Sequence, residues 1–265
     1  MALDFYWIDA FSDRPFAGNP AGVVPLPAWL PDDRMQAIAF ENGLAETAFF
    51  VPIGPGHYHL RWFTPTVEVK LCGHATLAAA HVLFTQLNEP GERVVFDSRS
   101  GTLAVTKRGE RLELDFPADA PRPCRDEVVI AAVTAALGQT PAWLGRADTD
   151  FLAVLADAAA VRAVQPDFLA VTRAGGRGLI VTAPGENGAD FVSRFFAPRS
   201  GVPEDPVTGS AHCVLTPYWA AKLGKAKLQA RQFSTRGGDL WCELRGERVL
   251  IAGHARLYLS GQLHV

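Results

Sequence analysis

Between Cys72 and Leu87 the chain reads CGHATLAAAHVLFTQL, and between Gly209 and Leu223 it reads GSAHCVLTPYWAAKL; each is apolar nearly all round a helical projection. A helix without a polar face has no side to give to water and must be buried. Elsewhere apolar residues alternate or run in short bursts. Val94-Val95-Phe96, Leu103 to Val105 and Leu112 to Phe116 read as strands with turn residues between them. Lys107-Arg108-Gly109-Glu110 and Leu244-Arg245-Gly246-Glu247 read as hairpin turns. Strands flanking a buried helix predict a sheet curled around it, once about residues 73–87 and again about 209–223.

The chain also repeats itself. Arg61-Trp62-Phe63-Thr64-Pro65 is matched 133 residues later by Arg194-Phe195-Phe196-Ala197-Pro198. Phe96 to Leu114 is matched 137 residues later by Phe233 to Ile251, with eight identities in nineteen columns, the string Arg-Gly-Glu-Arg among them. Two collinear matches at offsets near half the chain point to duplication. The join falls around residues 117–126, FPADAPRPCRDE, rich in proline and charge as linkers tend to be. The expected class is α+β: half-domains 1–120 and 121–265, each a β-barrel-like sheet around a central helix, with an active-site cleft between them.

Composition narrows the partners. The 265 residues are 48% hydrophobic and 20% charged, with net charge −3, so no basic footprint invites nucleic acid. No uncharged apolar run approaches the roughly 18 residues of a membrane helix. Met1 to Ala10 lacks a basic start, and a cytoplasmic location is the expectation. Cys72, Cys124, Cys213 and Cys242 are dispersed without a CxxC pair, which argues against a zinc knot. His57 and His59 alternate on a strand and read as solvated rather than metal-binding.

Chemistry gathers near the helix starts. Gly73-His74-Ala75-Thr76 and Thr208-Gly209-Ser210-Ala211 open the two central helices, where free N–H groups and the helix dipole favour anions. Plain helix capping is the alternative for each alone. The first half carries Glu46 at the head of an apolar strand, where the second has Gly178 or Leu179. The second half carries Glu204-Asp205-Pro206 ahead of its helix, where the first has Glu68 to Cys72. A carboxylate at the mouth of an apolar cleft tends to have a raised pKa and can serve as general base and then acid; a surface strand-end acid is the alternative for Glu46. His74, at a helix start, is expected to stay neutral. Cys72 has a helix N-terminal setting, but no second cysteine stands at the matching place, which disfavours a two-thiol racemase.

Phe11 to Pro20, Leu44 to Phe50, Leu71 to Thr76 and Glu204-Asp205-Pro206-Val207-Thr208-Gly209-Ser210-Ala211-His212 together resemble the PhzF-like family of phenazine biosynthesis, in that family's order and across nearly the whole chain. The resemblance implies a diaminopimelate-epimerase-like fold, a homodimer, no metal and no organic cofactor. It implies that Glu46 is the acid/base residue, that His74 and Asp205 assist proton handling, and that Asn19, Gly73, Gly209 and Ser210 bind a small carboxylated substrate. The founding enzyme of that family isomerises a dihydro-hydroxyanthranilate. Ala45 departs from the family's usual serine, which makes that substrate doubtful for this chain. The expected activity is therefore isomerisation by proton transfer. An amino-acid-type epimerase or racemase, and a non-catalytic metabolite-binding protein, are the alternatives.

Overall fold

The computed structural model describes all 265 residues, which form two compact units: Met1–Asp115 with Ala252–Val265, and Phe116–Ile251. The first unit opens with β1 (Ala2–Ala10), β2 (Asn19–Pro25), α1 (Asp32–Asn42), β3 (Glu46–Gly54), β4 (His57–Phe63) and the short β5 (Glu68–Val69). It continues through α2 (Gly73–Thr85), β6 (Arg93–Ser98), β7 (Gly101–Arg108) and β8 (Arg111–Pro117). The expected helix to Leu87 stops at Thr85, and the amides of Gln86 and Leu87 both close back on the Val82 carbonyl. Ten of the thirteen α2 residues are buried, packed against β1, β2, β3 and β7. Met35, Ile38 and Ala39 of α1 cover a separate cluster with Phe49, Val51 and Phe63.

The second unit holds β9 (Arg122–Pro123), α3 (Glu127–Leu137), β10 (Trp143–Arg146), β11 (Asp150–Val154), α4 (Ala158–Ala163), α5 (Phe168–Ala174) and β12 (Gly178–Pro184). Then come β13 (Phe191–Phe196), α6 (Gly209–Leu223), β14 (Lys227–Gln232), β15 (Gly238–Arg245) and β16 (Arg248–Gly253). Helix α6 has the bounds its apolar run predicts and packs on β11, β14 and β15. The last strand, β17 (Ala255–His264), pairs antiparallel with β1 from Ala2↔His264 to Ala10↔Ala255. A single cut near residue 120 leaves these final residues in the second half; the pairing returns them to the first.

Pairing repeats between the units. In the first, β1–β2 is antiparallel, β2–β3 parallel, β3–β4 antiparallel, β4–β6 parallel and β6–β7 antiparallel. In the second, β10–β11, β11–β12, β12–β13, β13–β14 and β14–β15 follow the same alternation. The repeated arginines behave alike. Arg61 holds Glu68 through two hydrogen bonds of 2.8 Å and lies over Phe63; Arg194 holds Glu204 at 2.7 and 3.0 Å and lies over Phe196. Glu204 is thereby a structural partner, leaving Asp205 as the candidate acid of that pair. No helix is long and apolar enough to cross a membrane.

Gly18 sets the entry to β2. Its φ is +70°, and a Cβ there would lie 2.2 Å from the Ala10 carbonyl oxygen, so both backbone conformation and space require glycine. Gly18→Ala should destabilise the protein by about 2 kcal/mol or more, from left-handed strain and the clash together. Gly43→Ala, at φ +62° but with open space around it, should cost only about 1 kcal/mol. Chemical denaturation of the two variants measures the difference.

Candidate active site

Glu46 is the first residue of β3, set by the parallel register Ala21↔Glu46 with β2. Asn19, buried at the start of β2, lies two residues before Ala21 on the same strand face. The helix start of α2 meets this strand start. His74 Nε2 lies 3.2 Å from Glu46 Oε2, within ion-pair range though off the line of a well-aligned hydrogen bond. Only 7% of the His74 side chain and 18% of the Glu46 side chain are exposed. The other imidazole nitrogen, Nδ1, is 3.5 Å from the Cys72 sulfur. A surface strand-end acid is thus not what Glu46 is.

These neighbours fix the charges. Burial opposes an imidazolium at His74, but the Cys72 sulfur and the Glu46 carboxylate beside it raise its pKa well above the usual histidine value. Burial, with the Glu46 charge added, raises the Cys72 pKa, so its thiol keeps its proton. The attraction that remains for the imidazolium is that of Glu46. The expectation of a neutral His74 rests on the helix dipole alone; the structure adds a carboxylate at 3.2 Å that pulls the other way and favours the imidazolium. Donor atoms of Glu46, Cys72 and His74 lie within 4.8 Å of one another, a spacing compatible with a metal ion. A metal bound there would have to displace the proton of the Cys72 thiol and any on the ligating His74 nitrogen.

The second unit holds its helix start differently. The loop before α6 is fastened by Gln232, whose Oε1 accepts from the Thr208 amide at 2.8 Å and whose Nε2 donates to the Asp205 carbonyl at 2.9 Å. The Thr208 hydroxyl donates to Asp205 Oδ2 at 2.5 Å. Thr208 therefore spends its side chain on Asp205 instead of capping α6, and Cys72 leaves α2 uncapped in the same way. The peripheral helices of the second unit contrast: Asp126, Asp157 and Asp167 cap α3, α4 and α5 through side-chain oxygens. Plain capping does not explain the residues at the two central helix starts. Ser210, second in α6, accepts from Arg177 Nη2 at 2.9 Å.

Of the residues expected to be catalytic (Glu46, His74, Asp205) and substrate-binding (Asn19, Gly73, Gly209, Ser210), the first unit brings His74 against Glu46, and the second ties Asp205 into the loop that leads to Gly209 and Ser210. Sequence reading did not single out Gln232, Arg177 or Asp150. Gln232 ends an ordinary strand and gave no signal, whereas Arg177 stands one residue before Gly178, the counterpart of Glu46, and the repeat could have found it. His57, part-exposed at the start of a largely buried strand, has its Nε2 3.0 Å from Asp97 Oδ2.

A duplicated sheet around a buried helix, with a carboxylate facing a histidine at one helix start, defines a fold of the diaminopimelate-epimerase type. The chain belongs to the phenazine biosynthesis-like protein family, PhzC-PhzF, which it matches over residues 8–261. It is 56% identical, over the full length of both chains, to an uncharacterised isomerase of Pseudomonas aeruginosa. The crystal structure of a PhzF-family protein from Enterococcus faecalis aligns over all of both chains with a TM-score of 0.96 and 45% identity. A hydroxyproline epimerase from Agrobacterium vitis shares the fold at a TM-score of 0.61 and 12% identity, over 99% of this chain and 92% of that one.

The raised pKa of His74 makes a stability prediction. Its charged form is favoured by folding, so the stabilisation is complete below the unfolded value of about 6.5 and is lost as pH rises through the higher folded value. Thermal melts should show wild-type stability declining on the alkaline side. His74→Gln should lack that decline, and a parallel decline in the variant would assign it to other groups.

Proposed function

We propose that this protein is a PhzF-type isomerase in which Glu46 lifts a proton from carbon and returns it elsewhere on a small carboxylated substrate. The supporting observation is geometric: the partly exposed Glu46 carboxylate lies 3.2 Å from the buried His74 imidazole, whose pKa it pulls upward. In the resting pair the imidazolium balances the carboxylate. When Glu46 has taken a proton the pair carries an excess positive charge, and giving the proton back restores the balance. The same excess charge favours a substrate anion formed beside it, which is the intermediate of a proton shift. Names given to relatives support the isomerase class; the substrate-handling roles of Asp205, Gly73, Gly209, Ser210 and Asn19 rest on the motif resemblance. The proposal includes a homodimer and needs neither metal nor organic cofactor; chelator-treated protein should keep its activity.

General acid–base transfer is worth about 10² to 10⁴ in rate. In D₂O, with a panel of small cyclic and amino carboxylic acids, NMR should show proton exchange or isomerisation that falls by about that factor in Glu46→Gln. Full activity in that folded variant would remove Glu46 from the mechanism.

An epimerase working through Cys72 is the second reading, favoured by the cysteine's place at the head of α2. It lacks a partner thiol: Thr208 heads α6, and the Cys213 thiol lies inside that helix with its pKa pushed up by burial to about 12. Cys72→Ser should therefore retain most of the exchange, and its loss would favour the epimerase.

A further inference from the structure

At the place where the first unit carries Glu46 and His74, the second carries a differently charged assembly. The parallel registers Ala21↔Glu46 and Asp150↔Gly178 make Gly178 the counterpart of Glu46, and Arg177 the counterpart of Ala45. The second residue of α2 is His74 and that of α6 is Ser210. One unit thus pairs a strand-start carboxylate with a helix-start histidine, and the other pairs a strand-start guanidinium with a helix-start hydroxyl.

Arg177 is rigidly set. Its Nε donates to Asp150 Oδ1 at 3.0 Å and its Nη2 to Asp150 Oδ2, giving the two-pronged geometry that orients a guanidinium. Its plane lies over the Phe195 ring at 5.2 Å, and its backbone amide donates to the Thr149 carbonyl. Asp150 is 2% exposed, whereas 38% of the Arg177 side chain is exposed. A buried carboxylate balances the arginine, so what the side chain offers is a directed donor rather than loose charge. Nη1 has no partner in the protein. Because Arg177 donates into the Ser210 oxygen, the hydroxyl proton of Ser210 must point elsewhere. Nη1 and the Ser210 hydroxyl are both donors without a protein acceptor, a combination suited to a carboxylate and poorly suited to a neutral amide or ester.

We propose that Arg177, held by Asp150, is the specificity-determining residue that selects a carboxylate on the substrate, with its Nη1 on the anion and its Nη2 orienting Ser210. This rests on the isomerase reading only in taking the bound ligand to be the substrate. The guanidinium need not take part in proton transfer, so its loss should act on binding and leave the rate at saturation nearly intact.

The probes are anthranilate and its uncharged analogue anthranilamide, titrated against the full chain by calorimetry and NMR. Wild type should prefer the acid by at least about tenfold. Arg177→Gln should weaken anthranilate binding by about 10- to 100-fold and leave anthranilamide nearly unchanged. That variant strands Asp150 as a buried unbalanced charge, so the double variant Arg177→Gln/Asp150→Asn, verified as folded by circular dichroism, is measured beside it and should behave alike. Arg177→Lys should recover only part of the preference, lacking the fork. A folded double variant with wild-type preference overturns the proposal, and so does a wild type that fails to bind anthranilate or does not distinguish it from the amide. Glu46→Gln separates the two readings: it should still prefer anthranilate to anthranilamide, and retained substrate exchange there sinks the isomerase reading while leaving the Arg177 result standing.

Discussion

A helix that is apolar on all sides is satisfied only by being surrounded, and in each half α2 or α6 imposes that demand on the strands around it. Fully burying side chains such as Leu77, Val82 and Leu83 is worth about 1.5–3 kcal/mol each, which sets the sheet around the helix. The same burial fixes where each helix begins. Its first turn has N–H groups with no intrahelical acceptor, and in neither central helix does the residue at the head close them with its side chain. Packing therefore places a rigid, electropositive point beside the starts of two strands, β3 in one unit and β12 in the other. The chemistry of each half is decided by what those strand starts carry.

Duplication supplied the same frame twice, and the two copies have since diverged, down to the residues at the strand and helix starts. The arginine pairs Arg61–Glu68 and Arg194–Glu204, the stacked rings Phe63 and Phe196, and the alternation of parallel and antiparallel strands are common to both units. At the strand starts, by contrast, Ala45-Glu46 faces Arg177-Gly178, and at the helix starts His74 faces Ser210 in the alignment. A carboxylate beside an imidazole in one unit and a guanidinium beside a hydroxyl in the other occupy corresponding positions.

Much of this was legible in the chain. All-round apolar runs can only be buried helices, so α2 and α6 stand out, and glycines in Arg-Gly-Glu-Arg mark the hairpins because those turns need a positive φ, +61° at Gly109 and +59° at Gly246. Glu46, His74 and Asp205 were found as motif residues. What was not legible depends on distance between segments. The charge on His74 is set by a carboxylate 28 positions away in the chain, and the role of Gln232 by a loop it reaches across the sheet. The partner of β17 was equally hidden, because a mostly exposed strand shows too little alternation to say which edge it joins.

That last strand has a consequence for how the protein is made. In synthesis β1 precedes the whole second unit and β17 follows it, and the two pair along the whole length of β1. The contiguous second unit has all of its residues in hand while the first still lacks an edge. During synthesis β1 must stand with unpaired backbone groups along that edge, a template for association with other chains. The edge of the Glu46 unit is therefore closed by a segment that lies beyond the whole of the second unit in the chain, so the first unit cannot be cut out as one continuous piece without baring β1.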